Sequence, residues 1–197
     1  MTSKSFPYGR FIYFVTGNIH KYFEARQILA EFNIASAMLK IKVSEIQDDD
    51  VENVAKTSAK EAAKTSGLPI IVEDAGLFIE ALNGFPGPYS KFVYNTIGLK
   101  GVLRLLGNEQ KRAAYFKSVV AFCDSEGTVE TFSGIVEGII ANKIRGTSGF
   151  GFDPIFEPKG KLGKTFGEMS IEEKSSISHR SQALRKFAKW YRKNFQS

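Results

Sequence analysis

Residues 11–21 have the sequence FIYFVTGNIHK. The apolar run Phe11–Val15 is continuous and β-rich, which is typical of a strand that is buried on both faces. The tripeptide Thr-Gly-Asn that follows predicts a turn, because its glycine lets the backbone approach a ligand and its asparagine can cap a helix. Apolar residues recur at helical spacing from Tyr22 onward, so we predict a strand–turn–helix unit. Its turn offers backbone N–H groups, and Lys21 offers an ammonium group, to a phosphate.

Further elements are predicted along the first half of the chain. Apolar and polar residues alternate over 39–43, which indicates a strand with one exposed face that delivers Glu45 at its end. An acidic loop then precedes a helix over about 51–66, where acidic residues favour the amino end. The apolar run from Pro69 to Glu73 predicts a second buried strand.

The second half of the chain has a different pattern. Gly84–Pro88 is a rigid turn, and residues 101–106 are predicted to be helical. Two long strand patterns, 113–123 and 128–140, are joined by a short polar turn and form a hairpin. The segment from Ser170 onward is mostly helical. Strand–helix units followed by a hairpin and further helices predict a mixed α/β fold.

Composition limits the class of protein. The chain has 197 residues, of which 43% are hydrophobic, so it can bury a core as one domain. Its apolar runs are only a few residues long, which excludes a bilayer-spanning helix, and residues 1–10 have no apolar stretch and are expected to form a tail. The single cysteine, Cys123, lies in an apolar run and is expected to be buried and unpaired in a reducing compartment.

The net charge of +6 comes entirely from residues 101–197, since the first hundred residues carry equal numbers of acidic and basic side chains. A basic half can indicate nucleic acid, a polyanionic small molecule or only a charged surface. Much of the excess lies in the terminal helix, where Leu184, Phe187 and Tyr191 recur at helical spacing. We therefore interpret its lysines and arginines as the solvated face of an amphipathic helix.

Two adjacent carboxylates, Glu73 and Asp74, follow a buried strand. Burying them is costly unless a cation or a hydrogen-bond donor meets them, and side chains alternate along a strand, so only one should face a site. Mg²⁺ prefers oxygen ligands and keeps waters and substrate phosphates in its shell. Asp74 and Glu45, each predicted to end a strand, could supply the protein ligands. The alternative is an ordinary turn with solvated acids.

A second group of polar residues lies near the end of the chain, in EKSSISHR at 173–180. It combines a lysine, hydroxyl groups, an imidazole and a guanidinium within two turns. Arg180 only donates hydrogen bonds, so it suits a carbonyl acceptor and disfavours an amino group. In the loop before this segment, Phe150 and Phe152 flank a glycine. They either stack on a purine or fill the core from a loop, and Asp153 can be a turn former.

Five ordered motifs together resemble the inosine/xanthosine triphosphate pyrophosphatase family, and the long form GFPGPYS is most similar to its archaeal branch. The resemblance extends from Phe11 to Leu184. The motifs are Thr16–Lys21, Glu73–Leu77, Gly84–Ser90, Gly149–Phe156, and Lys164–Glu168 with Glu173–Arg180. It implies an elongated α/β fold with a mixed sheet and flanking helices, in which residues 11–197 form one domain with two lobes around a central cleft.

The resemblance also implies an activity and the residues that perform it. The expected reaction is the magnesium-dependent hydrolysis of ITP, dITP or XTP to the monophosphate and pyrophosphate, with Asp74 as the catalytic base. Asp74 and Glu45 would bind Mg²⁺. The expected substrate-binding residues are Thr16, Gly17, Asn18, Ile19, His20, Lys21, Ala75, Lys91, Phe150, Gly151, Phe152, Asp153, Lys174, His179 and Arg180. From the residues alone, His20 is better interpreted as an exposed histidine. Many members have serine or threonine at position 75, so Ala75 is expected to act through its backbone.

The resemblance further implies a homodimer, and the composition favours the cytoplasm without a membrane or nucleic-acid partner. Two other functions are compatible with parts of the sequence. A related triphosphatase of similar fold could prefer pyrimidine or modified nucleotides, and a nucleic-acid binding protein could use the basic second half. The latter ranks far behind, because the chain contains no recognised nucleic-acid motif.

Overall fold

A computed structural model describes residues 10–43 and 46–195. Its described residues form one mixed sheet with helices on both faces, as the sequence predicted. The strands are β1 (Arg10–Val15), β2 (Ile34–Leu39), β3 (Ile70–Ile79), β4 (Pro86–Gly87), β5 (Ala113–Cys123), β6 (Val129–Ile140) and β7 (Phe156–Pro158). The helices are α1 (Ile19–Ala30), α2 (Val51–Ser66), α3 (Ser90–Thr96), α4 (Gly98–Leu106), α5 (Ile171–Ile177) and α6 (His179–Asn194).

The sheet combines a parallel and an antiparallel part. Its strand order is β2-β1-β3-β5-β6-β7, and the short β4 pairs with β3 outside this path. β1 runs parallel to β2 and β3, whereas β3, β5, β6 and β7 are antiparallel neighbours. The strand β3 therefore lies where the two parts meet. It pairs with β5 over its whole length, from Ile70 opposite Cys123 to Ile79 opposite Ala114.

The core lies on both faces of the sheet. On one face, α1 and α6 pack over β1, β3 and β5 around Phe14, Phe122 and Phe187. On the other face, the alanine-rich side of α2 packs over β3 and β5. A third cluster continues towards β6, β7, α3 and α4 and includes Phe156 and Phe166. Helices on both faces explain why the strands near the middle are apolar in both directions.

The predicted strand over 39–43 is wrong. The second strand is β2, which ends at Leu39, and residues 40–43 form no regular element. The physical reason is its partner, because β1 ends at Val15 opposite Leu39 and leaves nothing to pair with further along. Ile41 and Val43 still pack against the core under α2, so the alternation reflects burial without a ladder. Glu45 lies outside the described residues.

The third strand is longer than predicted. The sequence placed its end at Glu73, but β3 continues to Ile79, because β5 supplies a partner along its full length. Glu73 and Asp74 therefore lie inside a strand and not in a turn. Gly76 is also a strand residue, and a Cβ there would lie 2.4 Å from the Gly87 carbonyl oxygen. Glycine at this position allows the close approach of β4.

Most other elements agree with the sequence predictions. The helix α2, the hairpin of β5 and β6 and the helix α4 lie within a few residues of the predicted bounds. The turn at 84–88 is present and contains the two-residue β4, where Pro86 occupies an edge position that suits proline. The terminal helical region divides at Ser178 into α5 and α6.

The ends of the chain and the single cysteine complete the comparison. Residues 1–9 of the predicted tail lie outside the described residues, and Arg10 belongs to β1. Cys123 is buried and unpaired, as predicted. Leu184, Phe187 and Tyr191 are buried on α6, which confirms its apolar face. In the part of the chain that the structure describes, no helix has the length and apolarity needed to cross a bilayer.

Candidate active site

The first turn joins β1 to α1 and is built by two side chains. The Asn18 side chain caps α1, where its Oδ1 accepts hydrogen bonds from the N–H groups of His20 at 2.9 Å and Lys21 at 3.3 Å. The Thr16 hydroxyl accepts the Asn18 N–H at 3.1 Å. These bonds confirm the predicted capping role of Asn18 and fix the direction in which α1 leaves the sheet.

The same turn leaves an opening. The N–H groups of Gly17 and Ile19 make no hydrogen bond to another described residue. A Cβ at Gly17 would meet no atom within 4 Å, so there is space beside the backbone. Unpaired N–H groups at the amino end of a helix form an anion site. The turn therefore has the features of a phosphate cradle, and we name Thr16–Lys21 the turn end of the site.

The strand β3 has an open edge beside this turn. β1 pairs with β3 only at Ile70 and Ile71, and β4 pairs with it only from Leu77 onward. The Leu77 N–H on this edge donates to the Ser90 hydroxyl at 2.8 Å. By alternation, the backbone groups of Glu73 and Ala75 point to the same side. Lys21 Nζ donates a hydrogen bond to the Glu73 carbonyl oxygen at 3.1 Å, so the turn end lies along this edge.

Glu73 and Asp74 point to opposite faces of the sheet, as the alternation rule predicts. Glu73 lies on the face covered by α1 and α6, and its side chain is fully buried. Its Oε1 accepts a hydrogen bond from the Ser118 hydroxyl on β5 at 2.5 Å. Asp74 is half-buried and lies on the face covered by α2. One strand thus places neighbouring carboxylates on two sides of the sheet.

The donor cluster near the end of the chain sits at the break between α5 and α6. Ser178 ends one helix and caps the next, where its hydroxyl accepts the Ser181 N–H at 3.2 Å. Gly134 on β6 allows this helix end to approach the sheet, since a Cβ there would lie 2.1 Å from the His179 carbonyl oxygen. His179 and Arg180 are consequently 3% exposed. We name Lys174, His179 and Arg180 the buried end of the site.

Alternating charges connect the turn end to the buried end, and we call this series the ion-pair chain. It has five links between nitrogen and oxygen atoms: Lys21–Glu73 at 2.9 Å, Glu73–Arg180 at 3.1 Å, Arg180–Glu24 at 2.6 Å, Glu24–Lys174 at 2.9 Å and Lys174–Asp153 at 2.8 Å. The contacts of the Glu73 carboxylate with Lys21 Nζ and Arg180 Nε are close enough for ion pairs, but their angles do not fit hydrogen bonds. Each glutamate holds a different cation on each of its two oxygens. Three positive and three negative side chains therefore balance one another.

The electrostatics of the chain follow from burial and pairing. Burial alone would raise the pKa of Glu24, but Arg180 and Lys174 lower that pKa to about 2. Arg180 and Lys21 hold the pKa of Glu73 well below its usual value against the same effect of burial. For Asp153, burial raises the pKa more than Lys174 lowers it. Buried ion pairs rarely add net stability, so their concentration here favours a functional role.

His179 differs from its charged neighbours. Burial, assisted by the positive charge of Arg180, lowers the pKa of His179 well below 6.5, so the imidazole is neutral at physiological pH. Its ring stacks on Phe116 at a centroid distance of 4.5 Å. Its Nδ1 is buried and has no hydrogen-bond partner among the residues that the structure describes. An unsatisfied buried polar atom costs free energy, and a bound ligand can remove that cost.

The two phenylalanines of the predicted loop have separate roles. Phe152 is 3% exposed and belongs to the core, where it meets Tyr94 edge to face. Phe150 covers the cations of the buried end, with its ring centroid 4.8 Å from Lys174 Nζ and 5.1 Å from the Arg180 guanidinium. On its other side it stacks with His20 at 5.5 Å. The exposed His20 predicted from the sequence therefore has a partner.

The remaining predicted residues are placed as follows. Asp153 is buried, and besides pairing with Lys174 it accepts the Phe150 N–H at 2.8 Å, so it shapes this loop. Gly151 has open space around it. Lys91 is exposed on the first turn of α3, next to the residue that bonds to β3. Glu73 on the mid-chain strand thus connects the turn to the helix break, whereas the predicted base Asp74 points to the opposite face of that strand.

Two acidic residues and one hydroxyl group of the site were not predicted in these roles. Glu24 lies one helical turn after Lys21 and therefore on the same face of α1, which was a readable signal. Glu73 was recognised only as half of a carboxylate pair, and its pairing with two cations depends on contacts distant in sequence. Ser118 lies within an apolar strand, where only the pairing of β5 with β3 brings it near Glu73.

Among the described residues, the Asp74 carboxylate is an oxygen ligand of the kind that magnesium prefers. Mg²⁺ is usually held by one or two carboxylates together with waters and substrate phosphates. Asp74 is a half-buried carboxylate on the strand beside the turn end. Over residues 10–43 and 46–195, no three histidine, cysteine or acidic side chains gather as a ready metal cage. This donor set fits a metal shared with phosphate.

The fold matches solved structures along nearly its whole length. It is similar to a Ham1 protein from Coxiella burnetii, with a TM-score of 0.81 and 31% identity, covering 93% of this chain and 99% of the other. The Ham1 protein from Staphylococcus aureus gives a TM-score of 0.80 at 29% identity, with the same coverage. The mixed α/β architecture is thus the one found in Ham1 proteins.

The sequence comparisons define the family. The Ham1 family model matches residues 12–190, and the chain belongs to this family. It is 51% identical to a dITP/XTP pyrophosphatase from Methanopyrus kandleri, over 93% of this chain and 97% of that protein. A dITP/XTP pyrophosphatase from Thermococcus kodakarensis is 49% identical, over 92% of this chain and 97% of that protein. These archaeal relatives confirm the predicted family and branch.

Proposed function

We propose that this protein hydrolyses the deaminated purine nucleotides ITP, dITP and XTP to the nucleoside monophosphate and pyrophosphate. The observation that carries the proposal is the ion-pair chain, which links a turn with open N–H groups to a buried set of donors. The archaeal relatives are named dITP/XTP pyrophosphatases, which supports two of these substrates. Such a reaction would remove deaminated purines from the nucleotide pool.

The turn end would bind the triphosphate. The N–H groups of Gly17 and Ile19 bond to no other described residue, and Lys21 belongs to the same turn with 19% of its side chain exposed. Backbone N–H groups and a lysine stabilise charge that develops on phosphate oxygens during phosphoryl transfer. The backbone of Ala75 on the open edge of β3 could contribute another contact, which explains how alanine can serve at this position.

The buried end would recognise the base. Arg180 is held by Glu24 and Glu73 and can only donate, so it favours the carbonyl group at position 6 of hypoxanthine or xanthine. Adenine presents an amino group there, which leaves the donor unpaired at a cost of about 1–3 kcal/mol. The buried Nδ1 of His179 is a second group that a bound base could satisfy. Phe150 covers the same cations and would contact the base.

Asp74 would act as the general base. Asp74 follows Glu73 on β3 with its side chain on the opposite face, and the turn end lies along the open edge of this strand, which supports a role for Asp74 beside a bound triphosphate. There it would orient and deprotonate the water that attacks the α-phosphorus. Asp74, together with Glu45, would also hold Mg²⁺. When bound, the metal would neutralise charge on the phosphate oxygens.

Two finer expectations belong to the same proposal. A homodimer is supported by large apolar side chains exposed on α3 and α4, of which Phe92 is 68% and Leu105 55% exposed. Light scattering on the wild type and Phe92→Lys would test this surface. If the surface forms the dimer contact, the variant should be a monomer. An unchanged dimer mass would exclude the surface as the contact. A cytoplasmic location is supported by the single unpaired cysteine.

The test of the activity is pyrophosphate release, with magnesium, from ITP, dITP, XTP, GTP, ATP, dTTP and UTP. Rapid release from the first three and slow release from the others is the expected result. Comparable turnover of the pyrimidine nucleotides would contradict the purine assignment. Comparable turnover of ATP would contradict the role of Arg180 as the discriminating donor.

Replacing Asp74 by asparagine should remove catalysis while leaving binding. We expect kcat for ITP to fall about 1000-fold or more, since the amide cannot accept the proton from water. The matched control is Asp124→Asn in the hairpin turn, where the amide oxygen can still accept the bonds from Glu126 and Thr128. Full activity of Asp74→Asn would show that another residue is the base.

A further inference from the structure

Glu73 occupies the point where the two ends of the site meet. Its Oε2 lies 2.9 Å from Lys21 Nζ, and its Oε1 lies 3.1 Å from Arg180 Nε. The Ser118 hydroxyl donates to the same Oε1 at 2.5 Å. Lys21 also bonds to the Glu73 carbonyl oxygen, so both the backbone and the side chain of this residue hold the lysine. Glu73 thus pairs with one cation of each end, whereas Phe150 contacts both ends only through its ring.

Stability alone does not explain this carboxylate. Its side chain is fully buried in the middle of a sheet, with buried Ile71 two positions before it on β3 and buried Val120 opposite it on β5. Desolvating a carboxylate and two cations costs several kcal/mol per ion, and a well-packed apolar residue is often at least as stable as a buried ion pair. Glutamate is also depleted in strands. The arrangement therefore indicates a task that an apolar residue could not perform.

We propose that Glu73 is a positioning residue that couples phosphate binding to base selection, by fixing Lys21 and Arg180 with the two oxygens of one immobile carboxylate. The proposal rests on the proposed function, because it assigns the two cations to opposite ends of the same nucleotide. Glu73 itself does not touch the reacting atoms. It acts through the two cations that do contact substrate.

The geometry gives the two ends opposite responses to loss of this charge. Lys21 would lose a competing anion, so its attraction to phosphate oxygens should increase. Arg180 would lose the oxygen that faces its Nε and keep only Glu24 at its Nη1. Its guanidinium would then be less fixed, and its preference for a carbonyl over an amino group should weaken. A residue that only stabilised the fold would weaken both ends together.

The test uses Glu73→Gln, which keeps the shape and removes the charge. Inorganic tripolyphosphate reports on the turn end alone, and its Kd from calorimetry should stay the same or decrease by up to about tenfold. The ratio of kcat/KM for ITP to that for ATP reports on the buried end and should fall about tenfold or more, largely through kcat for ITP. This split between the two ends is the predicted signature.

Ser118→Ala provides a milder version of the same change. It keeps the Glu73 charge and removes only the hydrogen bond that immobilises Oε1. We expect the ITP to ATP ratio to fall about threefold, with tripolyphosphate binding unchanged. If Glu73→Gln does not fold, this variant decides the question, since an unchanged ratio would overturn the proposal.

Glu157→Gln is the matched control. Glu157 is 8% exposed and pairs with Arg145 at 2.7 Å, outside the ion-pair chain. It should lower the melting temperature without changing the ITP to ATP ratio. The proposal is overturned if Glu73→Gln keeps the wild-type ratio, or if it weakens tripolyphosphate and ITP binding together. A wild-type protein that neither binds nor hydrolyses ITP would overturn the proposed function as well, whereas an active wild type isolates the failure to Glu73.

Discussion

The turn end and the buried end of the site hold similar charges in different ways. At the turn end, Lys21 is partly exposed and the N–H groups of Gly17 and Ile19 bond to no other described residue. At the buried end, Arg180 and Lys174 are almost inaccessible and each is already paired with two carboxylates. The first end is thus built from backbone and can take a ligand directly. The second is built from side chains that fix one another before any ligand arrives.

This difference suits two tasks. A triphosphate carries several charges and needs an accessible anion site, where exact orientation matters less than net attraction. A base is distinguished by one or two polar groups, which requires donors that cannot reorient to suit the wrong partner. The rigid ion pairs of the buried end provide that restriction. The comparison predicts that equivalent changes should affect stability at one end and binding at the other.

The largest contrast should come from replacing a cation at each end with methionine. Arg180→Met leaves Glu24 and Glu73 short of a partner in a dry environment and should lower the free energy of unfolding by about 3–5 kcal/mol. Lys21→Met leaves Glu73 with Arg180 and Ser118, so about 1–2 kcal/mol is expected. Urea unfolding measures both values. Equal losses of unfolding free energy in the two variants would mean that the two ends are equally buried. They would contradict the contrast between an accessible turn end and an inaccessible buried end.

The next contrast concerns the backbone at the buried end. Gly134→Ala would put a methyl group 2.1 Å from the His179 carbonyl oxygen and 2.8 Å from the Ala183 nitrogen. The amino end of α6 must then move away from β6, which should cost about 1–3 kcal/mol by overpacking. Because His179 and Arg180 begin this helix, the preference for ITP over ATP should decrease as well. Unchanged stability and preference would show that the helix end can shift freely.

Acid should destabilise the buried end before it affects the turn end. The pKa of His179 lies well below 6.5 in the folded protein, chiefly through burial, and Arg180 adds to this. Below pH 6.5 the unfolded chain takes up a proton at this histidine that the folded protein does not, so stability decreases as pH falls from about 7 to 5. The slope from this one group is at most about 1.4 kcal/mol per pH unit.

Thermal or urea unfolding of the wild type and His179→Gln between pH 7 and 5 measures this contribution. The variant lacks the titrating group, so the difference between the two proteins should shrink as pH falls. The glutamates act in a separate range, since the pKa of Glu24 is about 2 and its stabilisation is lost below pH 4.5. Burial raises the pKa of Asp153, so this group favours the folded state as pH falls. The wild type and His179→Gln share this effect, so it cancels in the difference between their stabilities. A constant difference over this range would contradict a neutral buried His179.

The sequence predicted the turn end better than the buried end. Gly17, Asn18 and Lys21 act through local geometry, and a strand–turn–helix pattern is sufficient to infer a capped helix with an anion site. The hairpin of β5 and β6 was equally readable, since its strands are neighbours in sequence. Local rules therefore recover the elements whose partners are close along the chain.

The buried end depends on contacts that no local pattern contains. Glu24 and Arg180 are paired across 156 positions, and Glu73 and Ser118 across 45. The length of β3 was missed for the same reason, because its pairing with β5 extends it beyond the carboxylates. The dense run of donors at 173–180 and the family resemblance both indicated Lys174, His179 and Arg180, but their pairing through Glu24 and Glu73 required the fold. The alternation over 39–43 was misleading in the opposite way. Ile41 and Val43 are apolar because they pack against the core, although no strand forms there.

The smallest effect on stability is expected at Gly17, which makes it the sharpest test of the turn end. Its φ is not in the left-handed region, and a Cβ would meet no atom within 4 Å, so the fold does not require glycine there. Gly17→Ala should therefore leave the free energy of unfolding unchanged or raise it by up to about 1 kcal/mol, by restricting the unfolded chain.

The new methyl group would occupy the space proposed for a phosphate. Tripolyphosphate binding by calorimetry should weaken about tenfold or more, while the ITP to ATP ratio stays constant because the buried end is untouched. Unweakened binding would exclude this turn as the phosphate cradle, and a changed ratio would show that the two ends are not separable in this way.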